Sequence, residues 1–108
     1  MDKYNVYLSE PAEQDLDEIS LYISTQLLAP TTAENMLNIF HEAMLGLSHM
    51  PKRHPLVDDV FLASLGYRTM PVKNYLVFYS VNELLHDVNI ERILYERRDW
   101  KNILSPNK

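Results

Sequence analysis

The chain opens on an alternating segment, Tyr4-Asn5-Val6-Tyr7-Leu8, which reads as a short strand because successive side chains of an extended backbone point to opposite faces. The period then changes. Ala12, Leu16, Ile19, Ile23 and Leu27 recur at steps of three and four, the spacing that lines one face of a helix. Ser9 is placed to cap that helix and Pro11 to sit in its first turn. Glu10, Glu13, Asp15, Asp17 and Glu18 crowd the same end, where the helix dipole favours carboxylates. They read as a solvated helix start, since no histidine or second acidic pair completes a metal or acid–base site.

Leu28-Ala29-Pro30 breaks this helix, and Thr31-Thr32-Ala33-Glu34 has the form of a capping box. A second helix follows, with Ala33, Met36, Leu37, Phe40, Ala43, Met44 and Leu47 on one face. The two amphipathic helices form a hairpin suited to covering one face of a sheet. The prolines of Met50-Pro51-Lys52-Arg53-His54-Pro55 end the second helix and open a loop running to about Ala63.

Three runs rich in β-branched and aromatic residues complete the pattern, at residues 67–72, 75–81 and 88–95, separated by short breaks at Lys73-Asn74 and Asn82-Glu83. Arg68, Met70 and Val72 share one face of the first run. In the second, Leu76 and Phe78 oppose Tyr75, Val77 and Tyr79. Alternation falters at Arg92-Ile93-Leu94, the mark of a β-bulge or a shifted register. The expected fold is α+β: an N-terminal strand, a two-helix hairpin and a three-stranded antiparallel meander, in one domain spanning residues 1–108. With one sheet face packed on the hairpin, the other is left free to collect Arg68, Lys73, Arg97 and Arg98 among tyrosines.

Composition narrows the chemistry. The 108 residues include no cysteine, which removes disulfides, thiolate metal sites and cysteine nucleophiles together and fits a reducing, cytoplasmic compartment. No signal peptide is expected, because Met1-Asp2-Lys3-Tyr4 leads into the alternating segment, and no stretch approaches membrane-spanning length. His41, His49, His54 and His86 lack zinc-ligand spacing, and two glycines, Gly46 and Gly66, make no phosphate loop. No metal or cofactor is expected.

The net charge of −5 would discourage a nucleic-acid partner if it were spread evenly. It is not. Residues 1–50 set one cation against eight carboxylates, and residues 51–108 set nine cations against seven, so the halves carry −7 and +2. Such a split suggests an acidic back and a basic working face, with solvated acidic helices as the plain alternative. Cations hold phosphates and aromatic rings stack on exposed bases. Arginine and tyrosine serve protein interfaces equally well, so composition leaves both kinds of partner open.

The order of elements, together with Gly66-Tyr67-Arg68, Asn74-Tyr75-Leu76-Val77-Phe78-Tyr79 and Ile93-Leu94-Tyr95-Glu96-Arg97-Arg98-Asp99-Trp100, resembles the RelE/ParE superfamily of growth-inhibiting toxins from type II toxin–antitoxin modules. The resemblance runs from Ser9-Glu10-Pro11-Ala12 to Trp100. It implies a toxin that pairs with a cognate antitoxin in a hetero-oligomer. Some members cleave messenger RNA on the ribosome; others inhibit DNA gyrase without known catalysis. The ribonuclease branch implies catalytic roles for Arg68, for Arg97 or Arg98, and for Tyr95, with Lys73, Tyr75, Lys52 and Arg53 contacting RNA or another target. Met70 and Leu76 stand where that branch usually carries cations, so Lys73, Tyr95, His86 or the Lys52-Arg53-His54 loop would have to supply the missing groups. Ribosome-dependent endoribonuclease activity is the leading expectation. A ParE-like gyrase inhibitor built on Arg97-Arg98 is the alternative, and a toxin without activity, kept for antitoxin binding or autoregulation, is the third.

Overall fold

The computed structural model describes residues 3–105. Strand β1 spans Asn5–Leu8 and helix α1 spans Glu10–Leu21. Ser9 caps α1 as its position predicts: its side chain accepts from the Ala12 N–H at 3.1 Å and donates to the Glu91 carbonyl at 2.8 Å. One residue thus starts the helix and ties it to the last strand. Beyond Leu21 the helix widens into a π turn, Tyr22–Gln26, where the Leu27 N–H reaches back to the Tyr22 carbonyl at 3.2 Å. The wider turn breaks the phase of the apolar stripe. Ala12 and Ile23 are buried, while Leu27, which the spacing places with them, is 56% exposed.

Helix α2, Pro30–Leu45, starts one residue before the expected cap. Pro30 occupies its first turn with its φ already set for a helix, so Thr31 falls inside the helix and the capping box does not form; Ala29 at the N-cap provides no side-chain acceptor. Ala33, Phe40 and Met44 of the predicted face are buried, Phe40 and Met44 in the core against the sheet. Phe40 is fully buried, and its truncation to alanine carries a cost of about 3–5 kcal/mol.

The sheet contains β2 (Arg68–Val72), β3 (Tyr75–Asn82) and β4 (Asp87–Tyr95) in the order β1-β4-β3-β2. Neighbours are antiparallel except β1, which runs parallel to β4, so the meander becomes part of a mixed sheet. The faltering alternation in β4 is a bulge: Phe78 faces Arg92 and Tyr79 faces Ile90, leaving Glu91 as the extra residue. Val88 and Ile90 before the bulge, and Ile93 after it, therefore all pack in the hairpin-side core with Phe40, Val77 and Tyr79.

The opposite face is not free, contrary to the sequence expectation. Phe78 and Leu94 are buried there with Val57, Leu62 and Leu104. Two short helices provide this cover: α3, Val60–Ser64, within the stretch expected to be loop, and α4, Trp100–Leu104. Asp59 caps α3 by accepting from the Leu62 N–H at 2.9 Å, and Gly66, at φ 88°, makes the turn into β2. The Trp100 ring lies on Phe78 with centroids 5.2 Å apart. Five-residue helices are too short for periodicity to disclose, yet each seals a strip of sheet. Among the described residues no helix is long and apolar enough to cross a membrane.

Candidate functional site

Between the two packed faces, at the end of the sheet nearest the β2–β3 turn, strand and hairpin residues line an opening. It is a groove of about 820 Å³. Ile93, Leu94, Tyr75 and Tyr95 come to it from the strands, while Ile19, Tyr22, Ile23, Leu27 and Met36 come from the helix hairpin. Lys73 and Arg98 border it. Lys73 occupies the tight β2–β3 turn at φ 55°, a left-handed conformation that costs a residue with a Cβ about 1–2 kcal/mol. Lys73 and Arg98 are exposed, and among the described residues neither side chain has a hydrogen bond or ion pair. The groove thus combines largely apolar walls and the carboxylates of Asp15 and Glu18 with two cations that, among the described residues, have no ion pair.

Its aromatic floor is ordered by edge contacts: Tyr75 meets Tyr95 at 5.7 Å and Phe40 at 5.5 Å between ring centroids. Burial pushes the Tyr75 hydroxyl above the usual tyrosine range, reinforced by Tyr95 and Tyr22. A phenol shifted that way stays protonated at neutral pH, so Tyr75 can donate a hydrogen bond but is poorly suited to take a proton.

Asp15 sets the groove's inner wall, and it corrects the reading of a uniformly solvated helix start. It is only 7% exposed. Strand β1 ends at Leu8, opposite Ile90, so the outer edge of β4 continues without a strand partner. Asp15 takes that place by accepting from the Ile93 N–H at 2.9 Å and from Arg92 Nε and Nη2 at 2.8 and 3.0 Å. The bidentate pair raises the pKa of Arg92 further and fixes α1 to β4. Helical periodicity marks Asp15 only as an acidic residue near a helix start. Its partner lies 77 residues away, beyond the reach of any local pattern.

A second set of cations lies roughly 16 Å along β2, by the rise of about 3.3 Å per residue from Lys73 to Arg68. Here they are tied. Arg68 Nη1 donates to the His54 carbonyl at 2.7 Å and the Lys52 carbonyl at 3.4 Å. Arg53 Nη1 donates to His49 at 2.6 Å, Met50 at 3.2 Å and Gly46 at 3.4 Å. The buried Tyr79 hydroxyl donates to the Pro51 carbonyl at 2.6 Å. Lys52 pairs with Glu83, which also accepts from Tyr4 at 2.6 Å; these two donors, Lys52 first, hold the Glu83 carboxyl below its usual range. His54 lies edge-on to Tyr79, and burial followed by the charge of Arg53 lowers its pKa. Residues 50–55 form a strap stitched to the sheet.

Of the residues singled out by sequence, the fold gathers Lys73, Tyr75, Tyr95 and Arg98 at the groove. It keeps Arg68, Lys52 and Arg53 at the strap, and it leaves Arg97 exposed outside the groove lining. Arg68 shares a face with Met70, in register with Tyr79 on the hairpin side, so it does not join a free opposite face. Tyr22, Ile19, Met36 and Asp15 are groove residues that the sequence reading did not select. Tyr22 adjoins Ile23 of the apolar stripe at the start of the π turn, and no local spacing marks it for the groove. Among the described residues no group of three His, Asp or Glu side chains is placed to hold a metal ion.

A small mixed sheet with a helix hairpin on one face matches the ParE/RelE-like toxin fold. The family model for the ParE toxin of type II toxin–antitoxin systems, parDE, matches residues 6–100. The chain belongs to that family. Two solved structures share the fold. One, described as the chromosomal ParDE system from P. aeruginosa, has a TM-score of 0.73 at 17% identity, covering 88% of this chain and 98% of that one. The other, the toxin–antitoxin complex RelBE2 from Mycobacterium tuberculosis, has a TM-score of 0.58 at 22% identity, covering 86% and 98%. A comparison with curated proteins finds no match.

Proposed function

We propose that this ParE-family toxin acts in the cytoplasm by binding its target, with DNA gyrase the target class, and that it does not cut RNA. The observation that carries this reading is the fate of the positions a ribonuclease would need. Met70 is 5% exposed in the hairpin-side core and Leu76 packs against the opposite core, so both are committed to apolar packing. Arg68 is held by the strap, far from Tyr95 and Arg98. Losing even one donor aimed at developing charge costs roughly 10²–10³ in rate, and here at least two cations are absent.

The unpaired cations instead border an apolar groove, an arrangement suited to protein recognition: aromatic and aliphatic anchors inside, charges at the rim that steer and align. An antitoxin segment with an apolar face and acidic residues fits this groove, and seating it would cover Lys73 and Arg98. The two related structures are toxin–antitoxin assemblies, which supports a partner of this kind.

The test uses the purified full chain in two reactions, supercoiling of relaxed plasmid by gyrase and integrity of messenger RNA on programmed ribosomes. Inhibited supercoiling with intact RNA is expected, along with loss of inhibition in Lys73→Glu/Arg98→Glu. RNA cleavage that disappears in Arg68→Gln would overturn the proposal and restore the ribonuclease reading.

A further inference from the structure

We propose that the groove selects an antitoxin segment of mixed charge, with carboxylates for Lys73 and Arg98 and a lysine or arginine for Glu18. The inference rests on the reading of the groove as a protein-binding site and adds what its α1 wall demands of the partner. Helix α1 has two working faces. Ala12, Leu16 and Ile19 pack into the hairpin-side core, while Asp15, Glu18, Ile19 and Tyr22, at steps of three, one and three, line the groove. The two carboxylates of the second face are not equivalent. Asp15 is buried, and its charge is met by Arg92, whose Nε and Nη2 donate to it at 2.8 and 3.0 Å. Glu18 is exposed, and among the described residues its side chain has no hydrogen bond or ion pair.

With Asp15 and Arg92 cancelling each other, the open charges of the groove are Glu18 from the helix hairpin and Lys73 and Arg98 from the strand ends. The apolar walls supply contact area, and these three charges decide which segment may occupy it. Tyr22 strengthens the demand for a cation at the hairpin side. It follows Glu18 by four residues, so the two side chains are neighbours on the helix, and it is 54% exposed. A carboxylate beside an exposed aromatic ring suits the end of a lysine or arginine, whose charge the carboxylate meets and whose stem or head the ring face attracts.

Glu18 works chiefly by penalty. A purely acidic segment satisfies Lys73 and Arg98 but brings like charge to Glu18 as water leaves the interface, which lowers affinity. A segment with a cation on that side pairs all three groups. Specificity depends on costs imposed on wrong partners as much as on contacts with the right one, so Glu18 separates the matching segment from other acidic ones. A nucleic-acid backbone, whose phosphates are all anionic, meets the same penalty.

The experiment selects a displayed library of random peptides on the immobilised full chain, in native form and as Glu18→Lys and Lys73→Glu/Arg98→Glu, and then titrates a recovered peptide in solution. Glu18 has no partner to lose, so its variants are expected to fold. Peptides recovered on the native chain should carry acidic residues together with a lysine or arginine. The basic residue should disappear from those recovered on Glu18→Lys, and the acidic ones from those recovered on Lys73→Glu/Arg98→Glu. Exchanging the peptide's cation for glutamate should weaken binding to the native chain roughly fivefold, the upper range for one exposed ion pair, and strengthen binding to Glu18→Lys. In Glu18→Gln, which keeps the shape without the charge, the difference between the two peptides should shrink. Acidic peptides without a cation, recovered equally on the native and Glu18→Lys chains and lost on Lys73→Glu/Arg98→Glu, would overturn this inference and leave the groove reading standing. Peptides indifferent to all of these substitutions would overturn both.

Discussion

The two ends of the sheet carry similar side chains and use them in opposite ways. At the groove, Lys73 and Arg98 stand unpaired beside Tyr75 and Tyr95; at the strap, Arg53 and Arg68 grip backbone carbonyls around Tyr79. The difference lies in what the cations meet. The strap offers a dense row of carbonyls at a helix end, which guanidinium groups satisfy. The groove's walls are largely apolar, and among the described residues its two carboxylates, Asp15 and Glu18, make no ion pair with Lys73 or Arg98, so these cations remain open to solvent or a partner. A basic residue in this chain therefore has functional meaning only after its local acceptors have been accounted for.

The comparison can be broken most severely at Asp15, which holds the groove's inner wall. Asp15→Ala leaves the part-buried Arg92 and the Ile93 N–H without a partner, and urea denaturation should register a loss of about 3 kcal/mol. A change below about 1 kcal/mol would mean that α1 is held to β4 without this clamp. At the strap, Tyr79→Phe leaves the Pro51 carbonyl without its donor in a buried setting and should cost about 1–2 kcal/mol. Hydrogen exchange should quicken through residues 50–55 and stay unchanged around Tyr95.

Between pH 7.5 and 5 acid should act on the strap through His54. The folded-state pKa of His54 lies below its ordinary 6.5, so the unfolded chain takes up the proton first; the stability it contributes is complete above about 6.5 and is lost as pH falls through the lowered value. Glu83 adds a second loss further down, since its depressed pKa gives stability present above 4.5 that disappears as pH falls through its folded value. Stability curves recorded from pH 7.5 to 5 should slope downward for the native chain and flatten in His54→Asn; parallel curves would contradict the assignment. The smallest effect on folding is expected from Lys73→Glu/Arg98→Glu, at exposed positions with no partner to lose. Each change should alter stability by less than about 0.5 kcal/mol while abolishing target inhibition.

Elements whose residues repeat over several turns or alternations were legible from sequence. Ser9 and Pro11 mark the start of α1, Phe40 and Met44 mark the buried side of α2, and the stumble at Arg92-Ile93-Leu94 marks the bulge. What escaped was set by single contacts between distant residues. Asp15 looks like its acidic neighbours until Arg92 is brought to it across the fold. Thr31 has the chemistry of a cap, but Pro30 takes the helix start first. Leu27 keeps its helical spacing but loses its face to a π turn. For the candidate site, Lys73, Tyr75, Tyr95 and Arg98 could be named from the strand ends. Their separation from Arg68 depends on the strap, whose carbonyl acceptors carry no side-chain signature.

The most direct measurement of the central claim is pulse labelling of DNA and protein synthesis after controlled expression in a bacterial host, for the native chain, Lys73→Glu/Arg98→Glu and Arg68→Gln. The account predicts that DNA synthesis fails first, that the groove variant restores it, and that Arg68→Gln remains inhibitory. Protein synthesis failing first, with messenger RNA cut and the effect erased by Arg68→Gln, would contradict it.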